Sequence, residues 1–164
     1  MTMENYAVLL DTSFIIRLLS ENDPLHDNAL AYYKYFLEHG VEMKFSTISI
    51  AEYCVKGTIS ELPLRNLKIV PFNYDHAQRT GLFAATLFKA RNDGKLPDIQ
   101  ERLLIPNDSK LLSQADLDPA IRFFVTSDVK SKATISILNT ECGAQVQHMD
   151  IHTPVNVTFS ELFG

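Results

Sequence analysis

The chain has 164 residues, 46% of them hydrophobic and 21% charged, with 20 acidic against 15 basic side chains and a formal charge of −5. That length and balance predict one domain over residues 1–164, with a core from about 6 to 150 and a tail from 151 to 164. They exclude a globally disordered chain, and the acidic excess argues against a broad nucleic-acid-binding surface, which is usually basic.

No apolar run approaches the roughly 20 residues of a membrane span. Residues 1–5 carry neither the basic nor the apolar segment of a secretory signal, so a cytoplasmic protein is expected. Cys54 and Cys142 are too few for a disulfide scaffold and lie in no metal pattern, so both are read as free thiols. The five histidines show no paired spacing, which argues against a structural zinc site.

In chain order, Tyr6-Ala7-Val8-Leu9-Leu10 is a short uncharged run that reads as a strand buried on both faces. Asp11 falls where that strand leaves the sheet, on the usual ligand side of an open α/β sheet. The alternative is that Asp11 or Ser13 caps a helix beginning at Phe14. Residues 25–39 place Leu25, Ala29, Leu30, Tyr33, Phe36 and Leu37 on a helical face, and Gly40 ends that helix. Tyr32, Tyr33, Tyr35 and Phe36 cannot all face the core, because adjacent positions point about 100° apart, so some are expected to cover a partner surface.

Residues 43–46 read as a second strand. The helix after them carries Glu52, with Ile50, Tyr53 and Ile59 among its apolar side chains. Residues 68–72 form a third strand, short because Pro71 would be awkward in a central ladder. A helix over 75–91 ends at Asn92-Asp93-Gly94, and 95–106 reads as an elaborated loop with one turn of helix. Asn107-Asp108 opens a helix to about residue 115, 123–126 is a buried strand with Ser127-Asp128 at its end, and 131–139 is helical. A last strand over 146–149 precedes a weakly structured tail in which 159–163 packs back. About five short strands joined by long crossovers predict an α/β fold with a mostly parallel sheet.

On that layout Asp11 and Asp128 follow strands, while Glu52 and Asp108 lie in first turns of helices. Strand carboxyl ends and the amino ends of helices meet on one edge of a parallel sheet, so four carboxylates converge there. Two of them about 4 Å apart repel by roughly 4 kcal/mol at an effective dielectric near 20, which raises their pKa values or recruits a cation. Oxygen-only ligands favour a hard ion such as Mg²⁺ or Mn²⁺. Two such ions would bring the overall charge to about −1, which weakens the objection to an RNA substrate. Each acid has a local alternative. Ser49-Ile50-Ala51-Glu52 has capping-box spacing, Asp108 suits a helix dipole, and Asp128 could cap the helix after it.

The pattern resembles the PIN-domain ribonucleases, and within them the VapC-type toxins of bacterial toxin–antitoxin pairs. The matching segments are Val8-Leu9-Leu10-Asp11-Thr12-Ser13, Glu52 after Ser46-Thr47-Ile48-Ser49, Asp108 opening Asp-Ser-Lys-Leu-Leu-Ser-Gln-Ala, and Phe124-Val125-Thr126-Ser127-Asp128. The resemblance implies a three-layer α/β/α sandwich and a Mg²⁺- or Mn²⁺-dependent endoribonuclease. It assigns the metal to Asp11, Glu52, Asp108 and Asp128, supported by the hydroxyls of Ser13 and Thr126. It further implies a homodimer and a small antitoxin that blocks the site. The departures are Lys110-Leu111-Leu112-Ser113, where the family has Ile-Ala-Ala, and a 95–106 segment longer than in the small toxins.

For substrate phosphate, Arg17, Lys110, Lys130 and Lys132 lie near the acids in sequence, with solvated surface charge as the competing reading. A non-catalytic PIN-like RNA- or protein-binding scaffold is the rival function. A phosphatase-type nucleophile would call for Asp-x-Asp, and here Ser13 stands two residues after Asp11. No Walker or Gly-x-Gly-x-x-Gly loop supports nucleotide binding.

Overall fold

The computed structural model describes residues 5–96 and 107–163. Of the loop expected over 95–106, all but Lys95 and Leu96 lies outside the described residues. Five strands form one sheet: β1 (Ala7–Leu10), β2 (Glu42–Ser46), β3 (Leu67–Val70), β4 (Ile121–Thr126) and β5 (Gln147–Asp150). Their order is β3-β2-β1-β4-β5, and every neighbouring pair is parallel. Among the described residues the helices are α1 (Thr12–Leu19), α2 (His26–Glu38), α3 (Thr47–Tyr53), α4 (Tyr74–Asn92), α5 (Asn107–Leu117), α6 (Ser131–Cys142) and α7 (Val155–Phe163). Two 3₁₀ turns, Ile59–Glu61 and Leu64–Asn66, precede β3, which sits at the sheet edge where Pro71 is tolerated.

The uninterrupted apolar run of β1 follows from its place at the centre of the sheet, where both faces are covered. Val8 and Leu10 enter one core with Phe14, Phe36, Met43 and Phe45, beneath α1, α2 and α7. Ala7 and Leu9 enter a second core with Phe83, Leu87, Leu112 and Leu138, beneath α4, α5 and α6. Alternate residues of one strand thus serve both layers of an α/β/α sandwich. Burying a Phe or Leu side chain contributes roughly 1.5–3 kcal/mol, so these two clusters supply most of the drive to fold.

Residues 159–163 pack back as expected, but as part of a helix and not of a weakly structured tail: α7 buries Phe159, whose ring stacks on Tyr35 at 3.8 Å with an interplanar angle of 8°. Other expectations about individual elements change. Tyr32 is fully buried, with its hydroxyl on Thr153 O and Thr158 Oγ1. Tyr33 accepts a hydrogen bond from Asn66 Nδ2. Within the cluster on α2, Tyr32 and Tyr35 are thus covered by the chain's own C-terminal helix, while Tyr33 and Tyr35 stay partly exposed. Leu37 is exposed, because the buried face runs through Ala29, Tyr32 and Phe36. Finally, α3 stops at Tyr53, and Ile59 belongs to a separate 3₁₀ turn.

Candidate active site

The chain leaves β1 into α1 on one face of the sheet and leaves β4 into α6 on the other. Adjacent strands whose connections part in this way open a crevice at their carboxyl ends. Asp11 directly follows β1 and Asp128 follows β4 by two residues. The amino end of α5 brings Asp108 to the same edge, and α3, leaving β2 there, brings Glu52. All four carboxylates line one cavity of about 810 Å³.

Asp11 occupies the cap position of α1 but makes no side-chain cap bond. Its Oδ2 instead accepts hydrogen bonds from Ser13 Oγ at 2.8 Å and Thr126 Oγ1 at 2.7 Å. Those hydroxyls accept in turn from the backbone N–H groups of Ser127 and Asp128, at 3.0 and 2.9 Å. Ser13 lies inside α1, so of the two caps the sequence left open Asp11 holds the position, through its backbone and not its side chain. Burial pushes the Asp11 carboxyl above its ordinary range. The hydroxyls of Thr126 and Ser13 and the Thr12 amide pull against it, and the Glu52 charge adds to the rise.

Glu52 sits in the second turn of α3, not the first, because Ser46 is the cap and accepts from the Ile48 N–H. Ser49 is fully buried with its hydroxyl unpartnered, so the capping box expected of Ser49 and Glu52 is not made. Both Glu52 oxygens are engaged at the site. Oε1 accepts from Thr12 Oγ1 and Oε2 from Asn107 Nδ2, each at 3.0 Å.

Asp108, the second residue of α5, accepts from Ser131 Oγ at 3.0 Å. Its carboxyl is pushed up to about 7, first by burial and then by the charges of Asp11, Asp128 and Glu52, with Ser131 opposing. Asp128 is exposed and places Oδ1 on the Lys130 N–H at 2.9 Å, turning the chain into α6. Of the four acids it alone keeps part of a capping role.

The basic residues named from sequence are not brought together. Arg17 is paired with Asp23 at 2.7 Å, and Lys110 reaches Asn107 Oδ1 at 3.4 Å. Neither these two nor Lys130 lines the cavity, and Lys132 lines a second cavity beside His148. The lysine in the acidic cavity is Lys56, with Tyr53, Val55, Gly57 and Glu61 beside it. The signal for this wall was its position directly after Glu52; its lack of periodicity hid it.

The donor chemistry fits a hard divalent cation: the acids supply oxygen alone, and Asp108 feels the other three. Among the described residues no three or more Asp, Glu, His or Cys side chains already stand closed around one point as a metal cluster. Also among the described residues, no helix is long and apolar enough to cross a membrane.

No protein-family model matches the sequence, and no curated protein matches it. Solved structures do, and they define the class: the chain has a PIN-like α/β/α fold, the fold of VapC proteins. VapBC2 from Rickettsia felis, bound to a DNA fragment from its promoter, matches with TM-score 0.58 and 16% identity over 88% of this chain and 98% of that one. DNA-bound VapBC from Salmonella typhimurium matches with TM-score 0.50 and 17% identity over 92% and 99%. VapC20 of Mycobacterium tuberculosis, a sarcin-ricin loop cleaving toxin, matches with TM-score 0.50 and 16% identity over 77% and 94%. At these identities the likeness is one of fold.

Proposed function

We propose that this protein is a cytoplasmic, divalent-metal-dependent endoribonuclease that hydrolyses RNA phosphodiester bonds at Asp11, Glu52, Asp108 and Asp128. We further propose that it is the toxin of a toxin–antitoxin pair, working as a homodimer held in check by a small antitoxin. The observation that carries the reading is the meeting of four carboxylates, from four separate elements, in one cavity at the switch point of the sheet. The local explanations weaken with it: Asp11 makes no cap bond with its side chain, and Glu52 belongs to no capping box. The fold neighbours support the biological role, one being an RNA-cleaving toxin and two being VapBC assemblies on DNA.

Mg²⁺ or Mn²⁺ bound among these oxygens would activate water and stabilise charge on the attacked phosphate and the leaving oxygen. The chain's own part is to hold the donors. Ser13 and Thr126 each donate to Asp11 Oδ2 and each accept a backbone N–H, so the two hydroxyls tie that carboxylate to the end of β4. Thr12 and Asn107 grip one oxygen each of Glu52 and fix its orientation. Asp108 holds a proton near neutral pH that cation binding would release.

Asp11→Asn should abolish Mg²⁺- or Mn²⁺-dependent cleavage of cellular RNA, and with it growth arrest on expression, while the unfolding curve stays cooperative. Full activity in that variant would sink the assignment. The rival reading is a non-catalytic PIN-like scaffold that binds RNA or protein. Titration with Mg²⁺ and Mn²⁺ separates the two, since a scaffold binds neither.

A further inference from the structure

The far wall of the cavity is unlike its carboxylate floor. Tyr53 and Val55 line it together with Ile16 of α1, and Val55 is 78% exposed. Lys56 is the one basic side chain among the described lining residues, and it faces five acids. A phosphate chain entering here gains little charge attraction from the protein, so affinity has to come from contacts that carry no charge.

Tyr53 is held for such a contact from two sides. Its hydroxyl donates to Glu61 Oε2 at 3.2 Å. Glu61 is itself fixed, because the Thr58 N–H and hydroxyl donate to its Oε1 at 2.7 and 3.0 Å. On the other side, a Cβ at Gly57 would lie 2.5 Å from the Tyr53 ring, so the ring rests on the bare Gly57 backbone. Among the described residues, positive φ occurs at Gly40, Gly94 and Gly143, not at Gly57. The ring, rather than the backbone, requires this glycine.

An aromatic ring held in the wall of the cavity that the carboxylates line can offer a π-face at low entropic cost. Every base has a face to lay on it, but only an unpaired base can do so. We propose that Tyr53, seated on Gly57 and tied to Glu61, is the platform on which a base flanking the scissile phosphate stacks. This rests on the ribonuclease reading and adds a substrate-positioning residue to it.

The test is Mn²⁺-dependent cleavage of a fluorescent single-stranded oligoribonucleotide whose cut position is first mapped with wild type. Tyr53→Ala should raise KM about tenfold or more, and Tyr53→Phe should stay within about threefold. Gly57→Ala pushes the ring off its seat without straining the backbone, and should behave like Tyr53→Ala. Replacing the flanking base by an abasic ribose should erase the difference between wild type and Tyr53→Ala. Equal KM values and equal cut positions for those two proteins overturn the platform. A penalty that persists on the abasic strand also overturns it, since the ring would then only prop the wall, as does a loss confined to binding of a protein partner. If wild type cuts nothing, the ribonuclease reading falls. Fluorescence anisotropy of the same oligonucleotide then decides: affinity about tenfold weaker in Tyr53→Ala supports the platform, and equal affinities overturn it.

Discussion

Asp108 carries the site's charge conflict in one titration. Its carboxyl stands at about 7 in the folded protein against an ordinary value of 3.8. Between those values the folded chain binds more protons than the unfolded one. In metal-free buffer this group therefore costs stability progressively as pH rises from about 4 to about 7, and costs nothing below about 4, where both states are protonated. Asp108→Asn removes that slope. In EDTA the variant should gain on wild type between pH 4 and pH 8, by a few kcal/mol at the order-of-magnitude level, read from denaturant unfolding at both pH values. A difference independent of pH would contradict it. Thr126 makes the companion case. Thr126→Val keeps the shape but strips the buried Asp11 carboxylate of one of its hydroxyl donors, leaving Ser13, and leaves the Asp128 N–H without its partner, at about 1–3 kcal/mol for the unpaired N–H. Thr126→Ser, keeping the hydroxyl, should retain most of the stability and activity.

At the scale of elements, α3 was misread and α7 read only in part, for physical reasons. Ser46 and Ser49 are both hydroxyl residues at plausible cap offsets, and Ser49-x-x-Glu52 happens to match a capping box. The strand runs one residue into that choice, because Ser46 still pairs with Val70 of β3 while it caps α3. Ser49→Ala should then be neutral or stabilising, whereas Ser46→Ala should cost about 1 kcal/mol or more, read as shifts in unfolding midpoint. The reverse order would restore the capping box. The helix α7 spans 9 residues, too short to be stable alone, so the packing back of 159–163 was legible but the helix that carries it was not. Its stability comes from Phe159 on Tyr35 and Tyr32, and Phe159→Ala should cost about 3–5 kcal/mol and lower Tm by roughly 6–20 °C. The strands were legible because β1 and β4 must be apolar on both faces. The wall from Tyr53 to Glu61 was not, since its turns follow no period.

For the whole molecule, alternation of strands and helices predicted a parallel sheet, yet the order β3-β2-β1-β4-β5 could not be read from any local pattern. What could be read was the edge rule, which sends strand ends and helix starts to one side and so gathers the acids without knowing the order. Gathering them has a global signature. Mg²⁺ at a hundredfold excess over its Kd should raise folding stability by about 2.7 kcal/mol, and by far less in Asp11→Asn, followed as Tm against ion concentration. An equal shift in both proteins would place the ion elsewhere. The central position of β1 also imposes a timetable on synthesis. Asp11 is made before Thr126, which clasps it and comes 115 residues later. At roughly 5–20 residues per second that interval is about 6–23 seconds, during which the growing chain has neither the clasp nor Asp128. The clasp on Asp11 is thus complete only once the fourth strand closes against the first.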